Sequence, residues 1–132
     1  MIEPTKKQLE ALLSYPADQE VVMINLLKFK PRVDGSTESG EEAYKRYMMK
    51  TAPHLKKVGG RLLWKGTVTH VVIGDGDFKP DTILLVAYPS VQKFLEMVTN
   101  PDYLDIARDR SIALEFGGLL ASCTEFSSFA AI

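Results

Sequence analysis

Two apolar segments of the chain predict β-strands that are buried on both faces. Val21–Leu27 is apolar at every position except Asn25, and Ile83–Ala87 is apolar throughout. A strand of an antiparallel sheet with one face in solvent would instead alternate between apolar and polar side chains. Helices can cover only one face of such a sheet, so the pattern favours burial of the other face against a second copy of the same sheet.

Helical periodicity and capping residues predict the elements that connect the strands. Ser39 and Glu42 form a capping box at the start of a long helix, and Pro53 inside that helix predicts a kink or an early stop. We interpret Gly117-Gly118 as the end of the last helix. The predicted elements are a helix from Pro4 to Tyr15, strand Val21–Phe29, a helix from Ser39 to Gly59-Gly60, strand Arg61–Ile73, a strand ending at Tyr88, helices Val91–Thr99 and Pro101–Phe116, and strand Leu119–Phe126.

The order of these elements predicts the fold class. After the first helix, the order is strand, helix, strand, strand, helix pair, strand, which is the α+β ferredoxin-like βαββαβ arrangement with a four-stranded antiparallel sheet. The second helix of this arrangement is split at Asn100, which caps a new helix that begins with Pro101. We predict one domain over residues 1–132, with an N-terminal helical extension over 1–18 and a ferredoxin-like core over 20–128.

Charge and cysteine content narrow the class of protein. The chain has 16 basic and 17 acidic side chains and a formal net charge of −1, whereas a nucleic-acid-binding domain normally carries a basic face. No apolar run has the length of a membrane span, and the N-terminal residues lack the pattern of a signal peptide. The single cysteine, Cys123, cannot form an internal disulfide, so we expect a buried structural thiol in a reducing cytoplasm.

Several motifs, which together span nearly the whole chain, have the spacing of one known family. These motifs are Val22–Phe29, Tyr44, Tyr47, Gly59-Gly60, Tyr88-Pro89-Ser90, Phe94, Met97, Asn100–Tyr103, Arg110 and Leu114. In these residues the chain resembles domain-of-unknown-function family 1330, within the dimeric α/β-barrel superfamily. The resemblance implies a homodimer in which two four-stranded sheets close a barrel. The superfamily includes cofactor-independent monooxygenases, lactone isomerases and haem-dependent members, while family 1330 itself has no settled activity.

Two polar residues in apolar surroundings are the clearest candidates for a site. Asn25 interrupts an apolar strand, and a buried amide there needs hydrogen-bond partners, either from the protein and water or from a ligand. Arg110 falls inside the apolar stripe of the last helix, which includes Tyr103 and Leu114. Its guanidinium is either part of a structural ion pair or a clamp for an anion or a carbonyl.

The sequence supports a site built on histidine, a metal or a cofactor less than one built on Asn25 and Arg110. His54 and His70 are the only histidines, and neither has a second ligand residue at the spacing of a metal site. A lone histidine could ligate haem or act as a base, but we predict no metal and no cofactor. Aromatic residues at helical spacing either line a pocket or form the core. The candidate ligand-binding residues are Asn25, Tyr47, His54, Tyr88, Phe94, Tyr103 and Arg110; no catalytic residue is predicted.

Three functions are compatible with the sequence. The first is an enzyme without a bound cofactor that acts on a small carbonyl, lactone or phenolic compound, with Arg110 and Asn25 as polar anchors between helices and sheet. The second is a protein that binds a small organic ligand without turnover. The third is a structural homodimer module whose pocket is filled by its own side chains.

Overall fold

Four helices and four strands make up the part of the chain that the computed structural model describes, residues 3–129. The strands form one antiparallel sheet, with the second and fourth strands at its edges. This is the predicted α+β ferredoxin-like arrangement, and no helix within residues 3–129 is long and apolar enough to cross a membrane. The elements are α1 (Lys6–Leu12), β1 (Val21–Phe29), α2 (Gly40–Lys57), β2 (Arg61–Thr67), β3 (Thr82–Tyr88), α3 (Val91–Val98), α4 (Pro101–Ala113) and β4 (Leu114–Ser122).

Side-chain caps fix where the helices of the core begin. The Ser39 hydroxyl accepts a hydrogen bond from the backbone N–H of Glu42 at the start of α2. The Ser90 hydroxyl accepts from the N–H of Lys93 at 3.2 Å, and the Asn100 side chain accepts from the N–H two residues further on at 2.8 Å. Each cap of this kind stabilises a helix by about 1 kcal/mol. The three helix starts predicted from the sequence are therefore confirmed.

Helix α2 continues through Pro53 to Lys57, so an early stop at the proline is wrong. Proline has no N–H, and the carbonyl of Met49 therefore loses its helical donor. Both Pro53 and Met49 lie on the exposed side of α2, where water can take the place of the missing donor. The proline costs α2 one internal hydrogen bond without ending it.

Helix α4 ends at Ala113 rather than Phe116, and β4 begins at the next residue. The pair Gly117-Gly118 therefore lies inside a strand and does not terminate a helix. The strand ends at Ser122, before the predicted Phe126. Because β4 pairs with β1 along its whole length, ladder hydrogen bonds outweigh the weak strand preference of the two glycines.

The boundaries of two other elements also differ from the prediction. Strand β2 ends at Thr67 rather than Ile73, because Thr67 pairs with Thr82, the first residue of β3, and the chain beyond it has no strand partner. Helix α1 ends at Leu12, before the predicted Tyr15, and is followed by a turn.

The sheet has one face covered by helices and one open face. On the covered face, Leu27 of β1 and Leu84 of β3 are fully or almost fully buried. The open face carries a cross-strand apolar row in which Leu85 of β3 lies opposite Ile24 of β1, and Ile24 lies opposite Leu120 of β4. Leu120 is 54% exposed. In the single chain this face is an apolar surface that the helices do not cover.

Three backbone segments meet at the start of α2. The N–H of Gly40 donates to the carbonyl of Lys30, and the N–H of Lys30 donates to the carbonyl of Ala113, both at 2.9 Å. A Cβ atom at Gly40 would lie 2.3 Å from the Ala113 carbonyl oxygen. Only glycine therefore permits the end of β1, the start of α2 and the end of α4 to approach this closely.

Candidate functional site

Four of the five tyrosines of the chain lie together between the helices and the covered face of the sheet. Helix α2 contributes Tyr44 and Tyr47, which are three residues apart and therefore point to the same side of the helix. Tyr88 ends β3, and Tyr103 lies in the first turn of α4. Each is at most 8% exposed. We call these four residues the tyrosine cluster.

The hydroxyl groups of the cluster include a short direct contact. The hydroxyl oxygens of Tyr47 and Tyr103 lie 2.6 Å apart in a buried hydrogen bond in which either group can donate. The ring centroids of Tyr44 and Tyr47 are 5.2 Å apart, and those of Tyr47 and Tyr103 are 6.3 Å apart in an edge-on arrangement. Aromatic pairs at these separations attract each other beyond the area that they bury.

Burial keeps the phenols of Tyr44, Tyr88 and Tyr103 in their neutral form. Loss of hydration raises the pKa of Tyr44, Tyr88 and Tyr103 well above the ordinary value, and the neighbouring Tyr47 raises each of them further. For Tyr103, the hydrogen bond with Tyr47 adds to the rise in pKa. At neutral pH these three hydroxyls are therefore hydrogen-bond donors and acceptors, and none of them is a base.

Arg110 places a positive charge beside the cluster. Its Nη2 donates to the carbonyl oxygen of Gly117 at 3.3 Å. Burial is the largest effect on the pKa of Tyr44, and the nearby Arg110 partly offsets it through its charge and a hydrogen bond. The guanidinium therefore lies against the covered face of the sheet with acceptors from β4 and from the cluster.

Gly117 provides the space for this cation. A Cβ atom at Gly117 would lie 2.9 Å from Arg110 Nη2 and 2.7 Å from Leu114 Cδ1. A side chain at this position would push the guanidinium away from the strand. The glycine that the sequence suggested as a helix terminator therefore has a packing role in β4.

The remaining candidate residues are distributed around the cluster. Phe94 packs edge-on against Tyr88, with ring centroids 5.1 Å apart. Asn25 is half-buried on β1, and its amide donates to the carbonyl of Met23 at 3.4 Å. His54 is half-buried on α2, and within residues 3–129 its imidazole has no hydrogen-bond or ion-pair partner. The structure thus brings Tyr47, Tyr103 and Arg110 around one centre. Within residues 3–129, Asn25 and His54 form no hydrogen bond or ion pair with these three residues.

Tyr44 is one of the aromatic residues at helical spacing that we expected to line a pocket or to form the core, and it lies on the same helical stripe as Tyr47. The role of Gly117, in contrast, was missed in the sequence. Gly117 was assigned to a helix end, and only the strand register reveals that it faces Arg110.

Metal-ligating side chains do not assemble within residues 3–129: no group of three or more His, Cys, Asp or Glu is placed to hold a metal ion. Cys123 is exposed, so the expectation of a buried thiol is wrong. The reason is that β4 ends one residue earlier, and Cys123 therefore lies outside the ladder that would have buried it.

The fold and part of the sequence match known proteins. RPA0582 of Rhodopseudomonas palustris, a protein of unknown function, is 29% identical, with a TM-score of 0.88 over 96% of this chain and 98% of that chain. Its methylated form gives a TM-score of 0.90 over 97% of both chains. No curated protein matches the sequence.

Two more distant structures share the fold alone. A hydroxynitrile lyase from Passiflora edulis is 14% identical, with a TM-score of 0.61 over 83% of this chain and 97% of that chain. A dabb (dimeric α/β-barrel) family protein with a ferredoxin-like fold from Mesorhizobium loti is 12% identical, with a TM-score of 0.53 over 80% and 96%. The family model for the domain of unknown function DUF1330 matches residues 37–122. The chain therefore belongs to the DUF1330 family, with the ferredoxin-like fold of the dimeric α/β-barrel proteins.

Proposed function

We propose that this protein is a homodimer that binds a small carbonyl, lactone or phenolic compound at the tyrosine cluster and acts on it without a bound cofactor. The observation that carries the proposal is the buried hydroxyl pair of Tyr47 and Tyr103, 2.6 Å apart, in a cluster that also contacts Arg110. Neutral phenols and a guanidinium all donate hydrogen bonds, so they suit a ligand that presents an oxygen acceptor.

The same groups favour stabilisation of negative charge on a ligand oxygen over removal of a proton by a base. Donors that are fixed around an oxygen stabilise negative charge that develops on it, as in an enolate, a phenolate or a tetrahedral oxyanion. A tyrosine could act as a base only as its phenolate, and burial raises the pKa of Tyr44, Tyr88 and Tyr103 away from that form. We therefore assign the Tyr103 hydroxyl and the Arg110 guanidinium to stabilisation of the ligand oxygen, with Tyr47 as the hydrogen-bond partner of Tyr103.

A second candidate function is a structural homodimer module. It is favoured by the close packing of the cluster, in which Phe29, Tyr44 and Tyr47 form a continuous series of ring contacts. In that case the hydroxyl pair would satisfy two buried polar groups and would contact no ligand.

Thermal shift measurements separate the two functions. We would test 4-hydroxyacetophenone, δ-valerolactone and phenol on the wild type, on Tyr103→Phe and on Arg110→Leu. Tyr15→Phe is the matched control, because the Tyr15 hydroxyl lies outside the cluster and donates to the Glu20 carbonyl. The proposal expects at least one compound to raise the melting temperature of the wild type and of the Tyr15→Phe control. The same compound should not raise the melting temperature of Tyr103→Phe or of Arg110→Leu. Absence of a shift with every compound class, or equal shifts in all four proteins, supports the structural module.

The homodimer is supported by the open face of the sheet. Trp64 and Leu120 are 45% and 54% exposed on this face. On the same face, Ile24 of the central strand β1 lies opposite Leu120 of β4. Burial of apolar area contributes about 25 cal/mol per Å², so pairing of two such faces stabilises both copies.

Light scattering tests the dimer directly. The wild type should have about twice the 14.7 kDa mass of the chain, and Leu120→Glu should be monomeric because it places a charge in the apolar interface. Leu104→Glu is the control, since Leu104 is exposed on α4 and away from the sheet face. A monomeric wild type contradicts the dimer.

A further inference from the structure

A cavity of about 420 Å³ lies at the end of the sheet, beside the start of α2. Its apolar wall includes Phe29, and its polar lining includes Lys79, Asp81 and Thr82. The first turn of α2 borders it through Glu41. None of the four tyrosines lines this cavity, so the inference drawn from it is independent of the function proposed for the tyrosine cluster.

Thr82 lines this cavity and carries a hydroxyl without a partner in the described part of the chain. The residue is only 5% exposed, and its hydroxyl forms no hydrogen bond within residues 3–129. It differs from Thr51, whose hydroxyl is sealed from solvent without a partner. The remaining exposure of Thr82 is therefore toward the cavity that it lines. A nearly buried hydroxyl of this kind is available to a ligand.

Positive charge accompanies this hydroxyl. Lys79 is half-buried and forms no ion pair within the part of the chain that the structure describes, whereas the neighbouring Lys30 is paired with Asp34. At the start of α2, the backbone N–H of Glu41 has no acceptor within residues 3–129. Helix N-termini attract carboxylates and phosphates through such free N–H groups and through the helix dipole.

Negative charge in the cavity restricts the ligand further. One oxygen of the Asp81 carboxylate accepts from the N–H of Phe29 at 2.9 Å, and the other has no partner within residues 3–129. The Glu41 carboxylate is exposed at the rim. A dianion such as phosphate would meet both carboxylates, whereas a monoanion that also carries a donor would bind Asp81 with that donor.

We propose that this cavity binds a small carboxylic acid that carries a hydroxyl or ammonium group next to its carboxylate. The carboxylate is held by Lys79, the Thr82 hydroxyl and the N–H of Glu41, and the donor group is held by Asp81. The ring of Phe29 provides an apolar wall for the remainder of the ligand.

An NMR titration with three related compounds tests the proposal. Mandelate carries both the charge and the donor, phenylacetate lacks the donor, and methyl mandelate lacks the charge. Mandelate is expected to shift the backbone amide signals of Glu41, Thr82 and Phe29. The other two compounds are expected to bind about tenfold more weakly, which corresponds to the loss of one charge-assisted hydrogen bond.

Two variants and a control complete the experiment. Lys79→Met is expected to weaken mandelate binding about tenfold, and the isosteric Thr82→Val about fivefold. Lys65→Met is the control, because Lys65 is an exposed cation on β2 that does not line the cavity. Amide signal dispersion shows that each variant is folded. Lys79→Met keeps an unbranched apolar side chain at this half-buried position, so it keeps the test valid if Thr82→Val unfolds. The proposal is overturned if mandelate leaves the three amide signals unmoved, or if Lys79→Met binds it as tightly as the wild type.

Discussion

The hydroxyl oxygens of Tyr47 and Tyr103 lie 2.6 Å apart, although 56 residues separate the two positions in the chain. The contact joins α2 to α4 in a buried region, where the two hydroxyls form a hydrogen bond with each other. In this environment, removal of one hydroxyl leaves the other without its partner. This relationship makes the pair sensitive to single substitutions.

Removal of either hydroxyl should therefore destabilise the protein, and removal of both should cost less than the sum. Tyr47→Phe and Tyr103→Phe are each expected to lower the free energy of unfolding by about 1–2 kcal/mol, because one buried oxygen loses its partner. The double variant should show a coupling energy of about 1 kcal/mol between the two positions. Urea denaturation of the wild type, the two single variants and the double variant measures this coupling energy. Strictly additive decreases in the free energy of unfolding would contradict a direct hydrogen bond.

The raised pKa values of Tyr44, Tyr88 and Tyr103 predict how these tyrosines titrate. In the unfolded chain a tyrosine ionises near pH 10, but burial raises the pKa of Tyr44, Tyr88 and Tyr103 in the folded protein. Their contribution to stability is complete below pH 10 and is lost as the pH rises above it, because the unfolded state then releases protons that the folded state retains. In an absorbance titration, at least three of the five tyrosines should ionise only as the protein unfolds. Smooth ionisation of all five in folded protein would contradict the burial of the cluster.

Gly117→Ala should disturb Arg110 without changing the exposed surface. The added Cβ would lie 2.9 Å from Arg110 Nη2 and 2.7 Å from Leu114 Cδ1, and such overpacking costs about 1–3 kcal/mol. Gly76→Ala is the control, because nothing lies within 4 Å of its added Cβ. Thermal denaturation should show a lower melting temperature for Gly117→Ala only. Equal melting temperatures would show that Arg110 does not depend on the space at Gly117.

Asp109 should stabilise the pairing of α2 with α4 in a pH-dependent way. Its carboxylate accepts from Lys50 at 3.0 Å and from Arg46 at 3.4 Å. Burial alone would raise its pKa, but the hydrogen bonds and charges of Lys50 and Arg46 outweigh it, and the net effect is a pKa below the ordinary 3.8. The stabilisation is therefore complete above pH 3.8 and is lost as the pH falls through the lowered value.

Asp109→Asn tests this dependence. The variant should be about 1 kcal/mol less stable than the wild type at neutral pH, with the difference vanishing in strong acid. Asp34→Asn is the control, since Asp34 pairs with Lys30 but its side chain is 90% exposed. A difference that stays constant across the pH range would exclude the carboxylate as the cause.

Local signals in the sequence were sufficient for most of the fold. Strand β1 has the predicted bounds, and Ser90 and Asn100 start the two helices where their side chains can cap them. These features depend on neighbours in the chain, so sequence patterns record them. Gly117-Gly118 was misassigned because glycines end helices often, and only pairing with a distant strand shows otherwise.

The site was less accessible from the sequence than the fold. The stripe of α4 correctly indicated that Arg110 faces inward, and Tyr47 and Tyr103 were named separately as candidates. Their mutual contact could not be read from spacing, because it depends on how α2 and α4 pack against each other. The cavity at Thr82 also arises from segments far apart in the chain, and no periodic pattern marks it.

Helix α4 ends at Ala113 and β4 begins at Leu114, without a connecting loop. The number of residues at this junction is therefore critical. Side chains of a strand alternate between faces, so one residue inserted after Ala113 would turn every following side chain of β4 to the opposite face unless the pairing shifted. Gly117 would then no longer lie beneath Arg110. Inserted tags and circularly permuted termini should therefore be accepted in the exposed connections at residues 34–37 and 69–77, and rejected between Ala113 and Leu114.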